Sequence, residues 1–273
     1  MDQSCATKYP IMLIHGIGYQ DNGSGGYWGR IPDVLRSHGA ELWFGNQDAF
    51  GTIEHNAAQL KVSAENALRQ SGAEKLNLIA HSKGGIEARY LISRLDMAER
   101  IASLTTMATP HRGIVSMDRM KKRARQVYDG LVALFNRMLT VDGGENNVSL
   151  KVYEQMTADY MQVFNMLVPD MKGVYYQSYA FDMKNALSDP AMSIFYSFVR
   201  RMEGPNDGLV SVESAKWGDF RGVYSGPGRH GISHPVVVDS KKRKLSARRR
   251  SGGILDITDL YWDIVCRLKS LGY

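Results

Sequence analysis

Apolar residues follow two patterns along this chain. A continuous run of buried-strand length lies at Tyr9–His15 (YPIMLIH), Ala40–Phe44 reads as a second apolar strand, and Leu76–Ile79, Ile101–Met107, Val174–Ala180 and Trp217–Val223 read as further strands. Between them lie stretches whose apolar residues repeat every three or four positions. Thr52–Ser71 sets Ala57, Leu60, Ala64, Ala67 and Leu68 on one helical face, and Ile31–His38 and Ile86–Leu95 read as further helices. Continuous apolar strands alternating with helices predict strands buried on both faces, as in a parallel sheet. The expectation is an α/β fold: a single domain over 1–273 with a mostly parallel central sheet flanked by helices. Such sheets bind ligands at the carboxyl ends of their strands.

After Gly113 the pattern becomes helical. Met117–Leu139 spaces Met120, Ala124, Val127, Leu131, Leu134 and Met138 by three and four. Val141–Asn147 reads as a polar turn, and Leu150–Val168 aligns Tyr153, Met156, Tyr160, Phe164 and Leu167 as a second helix. This predicts an inserted helical lid or cap over 116–172. Of the 14 methionines, ten lie between Met117 and Met202. Methionine fits irregular apolar shapes, so the inner face of the cap is expected to line an acyl pocket as well as to fill core. Arg201–Val212 reads as a loop. After Gly252-Gly253, the residues Ile257, Leu260, Tyr261, Ile264, Leu268 and Leu271 form a last amphipathic helix.

Composition changes this picture at four points. No run of about 18 apolar residues occurs, so no segment is expected to span a membrane. The opening MDQSCATKYPIMLIHG has none of the features of a secretory leader, which predicts a cytoplasmic protein or one exported with a leader outside this sequence. The net charge of +6 comes from the run Lys241–Arg250, which carries seven cations and no acid, and without which the chain would stand at −1. This is a near-neutral protein with one basic loop. No nucleic-acid partner is expected, because such proteins spread their cations over a face. The loop reads as a solvated segment, with docking to anionic lipid as the sharper reading. Cys5 and Cys266 read as two unpaired thiols, with a terminus-to-terminus disulfide as the alternative.

The chemistry centres on Lys75–Tyr90, KLNLIAHSKGGIEARY. A strand leads into Ala80-His81-Ser82-Lys83-Gly84 and then a helix, which is the G-x-S-x-G nucleophile elbow with Ala in the first position. A strand that becomes a helix within a few residues strains its Ser, and the neighbours two before and two after must be small. The hydroxyl then stands at a helix N-terminus, where negative charge is favoured. The first strand ends in His15-Gly16-Ile17-Gly18, the usual place for half an oxyanion hole, with Gly16 admitting a substrate oxygen towards the Ile17 N–H. The N–H of Lys83, after the nucleophile, is the other expected donor. A Ser nucleophile needs a His base and a carboxylate to orient it, in the chain order Ser, acid, His. Asp207, in PNDGLV, suits the acid, with Asp182, Asp189 and Asp219 weaker. Only His230 and His234 follow it. His234, in GISHPV, has apolar neighbours to anchor it and is favoured over His230. His81 must point away from the site, and His111 is expected to shape the loop behind the elbow.

These segments together resemble the bacterial true lipases, the family I triacylglycerol lipases of the α/β-hydrolase superfamily. The likeness covers most of Lys8–Gly113, through YPIMLIHGIG, YWGRIPDVLRSHGAELW, LNLIAHSKGGIEARY and ATPHRG, and returns at NDGLVSVESAKW and GISHPVVVD. It implies an α/β-hydrolase fold, a triad on Ser82, Asp207 and His234, and an oxyanion hole on Ile17 and Lys83. It also implies a lipid or ester substrate at a lipid–water interface. Many members hold a structural calcium through an Asp-Pro upstream of the acid and an Asp two residues after the His. Here Asp189-Pro190 resembles the first ligand and Val236 replaces the second, so calcium is not favoured, zinc is not expected, and no cofactor is required. The cap and the basic run have no counterpart motif. The expected activity is serine-dependent hydrolysis of medium- to long-chain acyl esters through an acyl-enzyme. A thioesterase, amidase, acyltransferase or polyester hydrolase, or a non-enzymatic binding module, are the other readings.

Overall fold

A computed structural model describes residues 2–18, 26–123, 125–139, 150–242, 244–245 and 254–273. The predicted turn at Val141–Asn147, Gly252-Gly253, and most of the Gly23–Gly26 loop and of the Lys241–Arg250 run lie outside these residues.

Six strands form one sheet, β1 (Ile11–Ile14), β2 (Leu42–Phe44), β3 (Leu76–His81), β4 (Ile101–Met107), β5 (Tyr175–Phe181) and β6 (Asp219–Tyr224), in the order β2-β1-β3-β4-β5-β6. Every pairing is parallel. The central strands β1, β3 and β4 are buried along their whole length, whereas the edge strands β2 and β6 are half-buried. This is why β1 reads as an unbroken apolar run. One polar residue interrupts β3. Asn77 is fully buried and satisfied: its amide donates to the Tyr9 carbonyl at 3.1 Å and its oxygen accepts from Ser103 Oγ at 2.7 Å.

Helices cover both faces. On one side α1 (Ile31–Ser37) and α10 (Ile257–Ser270) pack Ile31, Leu35, Tyr261 and Leu268 against Ile11, Leu13 and Ile79. On the other, α2 (Ile53–Ser71) and α3 (Lys83–Arg94) pack Leu60, Ala64 and Leu91 against Met12, Ile14 and Leu78. Thr52 caps α2, accepting from the His55 N–H, and Gly72 ends it in the left-handed conformation. Strand order reverses between β1 and β3, which makes their carboxyl ends the switch point where open α/β sheets place ligands.

Between β4 and β5 run α4 (Val115–Arg123), α5 (Arg125–Leu139), α6 (Leu150–Glu154) and α7 (Ala158–Leu167). The single helix expected over Leu150–Val168 is two helices with a turn between them. Thr157 explains the break: its hydroxyl accepts from the Tyr160 N–H at the start of α7 and donates to the Glu154 carbonyl at 2.6 Å. Gln155 in that turn accepts from the Ile53 N–H at 2.9 Å, tying the insertion to the start of α2. A further helix, α8 (Ser193–Glu203), precedes β6, and the short α9 (Val212–Ala215) follows the loop of Asp207, so Arg201–Val212 is loop only in its middle.

One ionic clasp spans the chain. Arg30 donates to Asp239 through its backbone N–H at 2.7 Å and its guanidinium at 2.7 and 2.8 Å, and to Asp256 at 2.8 and 2.9 Å. Cys5 and Cys266 are both thiols, and burial pushes that of Cys5 up to about 12. Among the described residues no helix is long and apolar enough to cross a membrane.

Candidate active site

Ser82 sits where β3 meets α3, with φ 54° and ψ −131°. That strained angle turns the chain, and the turn is fastened from beneath. The Ser82 N–H donates to the Met107 carbonyl at 2.9 Å, and Thr109 Oγ1 donates to the Ser82 carbonyl at 2.8 Å. Gly84 has to be glycine, since a Cβ there would lie 2.3 Å from the His15 carbonyl oxygen. Gly16 is held as closely, with its would-be Cβ 2.9 Å from Ser82 Cβ. The glycine loop after β1 and the nucleophile are therefore in direct contact. Lys83 opens α3, so its N–H has no carbonyl partner within the helix. Ile17 lines the same cavity as Ser82.

Asp207 and His234 meet 27 residues apart in sequence, with His234 Nδ1 2.7 Å from Asp207 Oδ2. Asp207 is fully buried, and its other oxygen accepts from the N–H groups of Leu209 at 3.0 Å and Val210 at 2.8 Å. The His234 N–H also donates to the Asp207 carbonyl at 2.7 Å, so backbone and side chain both fix the pair. The His234 ring lies 4.5 Å from that of His81, the residue before Ser82, which places it beside the elbow. His230 is exposed and lines a separate polar groove with Lys241 and Lys244. Of the weaker acids, Asp219 pairs with Tyr175, Arg221 and Arg267, Asp182 caps a turn at Lys184, and Asp189 accepts from Ser233 Oγ.

The two histidines set aside by chain order are buried and structural. Tyr27 Oη accepts from the Gly16 N–H at 2.9 Å and donates to His81 Nδ1 at 2.7 Å. Burial, then the neighbouring His234, holds the His81 imidazole well below its ordinary range. His111 lies between Thr106 Oγ1 at 2.9 Å and the stacked ring of Trp217, and burial followed by Arg89 and Arg112 lowers it likewise. Tyr27 could have been singled out from its aromatic neighbour Trp28 after a glycine loop, but its partner His81 is 54 residues away.

Above Ser82 opens an apolar cavity walled by Met117 and Met120 of α4, Tyr128 of α5, Tyr153 and Met156, and Phe195 and Val199 of α8. The insertion supplies part of this wall, three of its methionines, Met117, Met120 and Met156, among it. The α8 wall was missed from sequence, although Phe195, Phe198, Val199 and Met202 at spacings of three and four carry a helical signal.

Asp189 faces a cation already. Its carboxylate accepts from Ser233 Oγ at 2.6 Å and pairs with Lys241 Nζ at 3.2 Å. An ammonium in that place does not fit a calcium ligand set, and among the described residues no group of three His, Cys, Asp or Glu side chains converges to hold a metal.

The sequence model of a family described as palmitoyl protein thioesterase matches residues 10–181. The chain is 30% identical over 259 residues to triacylglycerol lipase 2 of Saccharomyces cerevisiae, covering 90% of this chain and 74% of that one. It is 28% identical over 306 residues to a triacylglycerol lipase of Pseudomonas fragi, covering 100% of both. In structure it is similar to a mature lipase of Bacillus licheniformis, at TM-score 0.68 and 17% identity over 86% of this chain and 88% of that one. It is also similar to a metagenomic carboxyl esterase, at TM-score 0.67 and 15% identity over 97% and 76%. At those identities the structures bear on the fold, which is that of the α/β-hydrolases.

Proposed function

We propose, for a chain that belongs to the palmitoyl protein thioesterase family and is similar to triacylglycerol lipases, a serine carboxylic-ester hydrolase acting as a lipase on medium- to long-chain acyl esters. The observation that carries this reading is the buried Asp207–His234 pair set beside the elbow serine, under a cavity that is almost wholly apolar.

In this reading His234 takes the Ser82 proton on Nε2 as Ser82 Oγ attacks the ester carbonyl. Asp207 accepts from Nδ1–H, fixes the tautomer and stabilises the imidazolium. The carbonyl oxygen becomes an oxyanion held by the Ile17 and Lys83 N–H groups. The tetrahedral centre collapses, the alcohol leaves with the proton from His234, and an acyl-Ser82 ester remains. Water, deprotonated by His234, attacks that ester and releases the fatty acid. The acyl chain lies along the methionine wall, and the 116–172 insertion serves as the cap that shields it from water. No step needs a metal, and the cation beside Asp189 is Lys241. A second reading, hydrolysis of long-chain acyl thioesters by the same groups, is favoured by the family match over residues 10–181.

The test is a panel of p-nitrophenyl esters and acyl thioesters from short to long chains, with Ser82→Ala and His234→Ala beside the parent. Loss of at least about 10⁴-fold in both variants, with rates rising towards long acyl esters, is expected. A rate that survives His234→Ala removes it as the base. Preference for thioesters selects the second reading, and an inert parent overturns both.

A further inference from the structure

Beneath the nucleophile lie charges that the hydrolytic scheme leaves unused. Lys83 and Glu87 stand four residues apart on α3, each only 1% exposed, with ammonium and carboxylate in contact. A buried ion pair is costly unless further hydrogen bonds complete it. Here they do, and each leads to a different segment. Lys83 Nζ donates to the Gly51 carbonyl at 2.7 Å. Asn56 of α2 donates to Glu87 Oε1 at 2.7 Å and to the Asp48 carbonyl at 2.8 Å. Gln47, fully buried, donates to Glu87 Oε2 at 3.1 Å and to the His15 carbonyl at 2.9 Å. The Gly18 N–H donates to the Ala49 carbonyl at 2.9 Å, fastening the glycine loop to the same 47–51 stretch.

Three pieces of chain therefore meet on one carboxylate, the start of α3, α2 and the loop after β2, and Gln47 extends the set to a fourth, the end of β1. The two amides of the oxyanion hole lie on the first and last of these. Lys83 carries one amide on its backbone while its side chain is the cation of the pair. Ile17 carries the other, two residues beyond the carbonyl that Gln47 holds. A carboxylate suits this place because its two oxygens accept from several donors at once. An apolar filler would cost Gln47, Asn56 and Lys83 one acceptor each and leave the buried ammonium without its counter-charge.

We propose that Glu87 is a positioning residue for ester hydrolysis: through Lys83 and Gln47 it holds the Ile17 and Lys83 N–H groups at the separation that the oxyanion requires. This rests on the hydrolase reading above. Oxyanion donors act only on charge that develops in the transition state, so a loosened hole lowers kcat and leaves substrate affinity alone.

Two substitutions isolate the effect. Glu87→Gln keeps the shape and removes the charge. Gln47→Met cuts the link to the His15 carbonyl and leaves the ion pair in place. For each we would measure kcat and KM on an ester the parent hydrolyses, inhibition by an alkyl trifluoromethyl ketone, inhibition by the free fatty acid, and Tm. The ketone forms a tetrahedral adduct whose oxygen occupies the hole; the fatty acid reports the acyl cavity. Expected are a kcat lower by about 10- to 100-fold in Glu87→Gln and about three- to tenfold in Gln47→Met, with KM within about twofold. Ketone inhibition should weaken by the same factors while fatty-acid inhibition holds. A pair that merely stabilises the core would lower Tm and leave kcat and ketone affinity per folded molecule unchanged, and that result overturns the proposal. Should Glu87→Gln fail to fold, Gln47→Met decides alone. Ser82→Ala separates the two levels: a parent whose activity does not need Ser82 sinks the hydrolase reading, whereas Ser82-dependent activity with unaltered variants sinks only the role of Glu87.

Discussion

Below Ser82 the molecule is polar and tightly bonded; above it the molecule is apolar and soft. The floor is made of Thr109, Tyr27, His81 and the groups around Glu87, joined by hydrogen bonds between segments far apart in sequence. The roof is made of Met117, Met120, Met156, Phe195 and Val199, apolar side chains that line one cavity. The two halves meet different demands. A developing oxyanion needs dipoles that do not reorganise, and only a bonded network holds them. An acyl chain has many shapes and no charge, and thioether side chains accommodate it.

That division can be broken at several places. Asp207→Asn strikes the floor hardest. It should keep the fold yet lower kcat by about 10³- to 10⁴-fold by spoiling the His234 tautomer, equally for short and long esters. A loss that varied with chain length would tie the base to the roof and end the distinction. Val199→Trp strikes the roof alone. Filling the cavity should lower kcat/KM for a C16 ester by about 10- to 100-fold while a C4 ester reacts nearly as before. Equal losses on both esters would mean that α8 supports the chemistry and not the acyl chain.

The smallest effect concerns acid. His81 and His111 are buried, and their imidazoles are held well below 6.5 in the folded protein. The unfolded chain therefore takes up these protons first as pH falls. Their contribution is complete above about pH 6.5 and is lost below it. Tm should fall by several degrees between pH 7 and 5, and less in His111→Gln, which cannot charge. A slope that is the same in both proteins would clear His111 of the effect.

The floor and roof also differ in how they are written in the sequence. Ser82 was legible because its constraint is local: Ala80 and Gly84 must be small for reasons that lie within five residues. Asp207 and His234 were legible because each sits in a short turn motif, and chain order joined them, although Asp207 follows α8 and not a strand. The Glu87 network was not. Its members run from His15 to Glu87, and nothing in the i, i+4 spacing of Lys83 and Glu87 marks that pair as buried. The 116–172 stretch was legible as amphipathic helix but not as α6 and α7, because apolar spacing runs on through the turn that Thr157 makes with Glu154 and Tyr160. Periodicity reports which face is buried and is silent on what covers it.

The Arg30 clasp has a consequence for timing. Asp256 stands 226 residues after Arg30, and the Asp239 carboxylate that shares the guanidinium lies just beyond His234. A chain emerging from the ribosome completes β1, the elbow and the cap long before either carboxylate exists. The nucleophile is therefore made well before the loop bearing the base can gain its clasp to Arg30, and the two halves of the site are joined late.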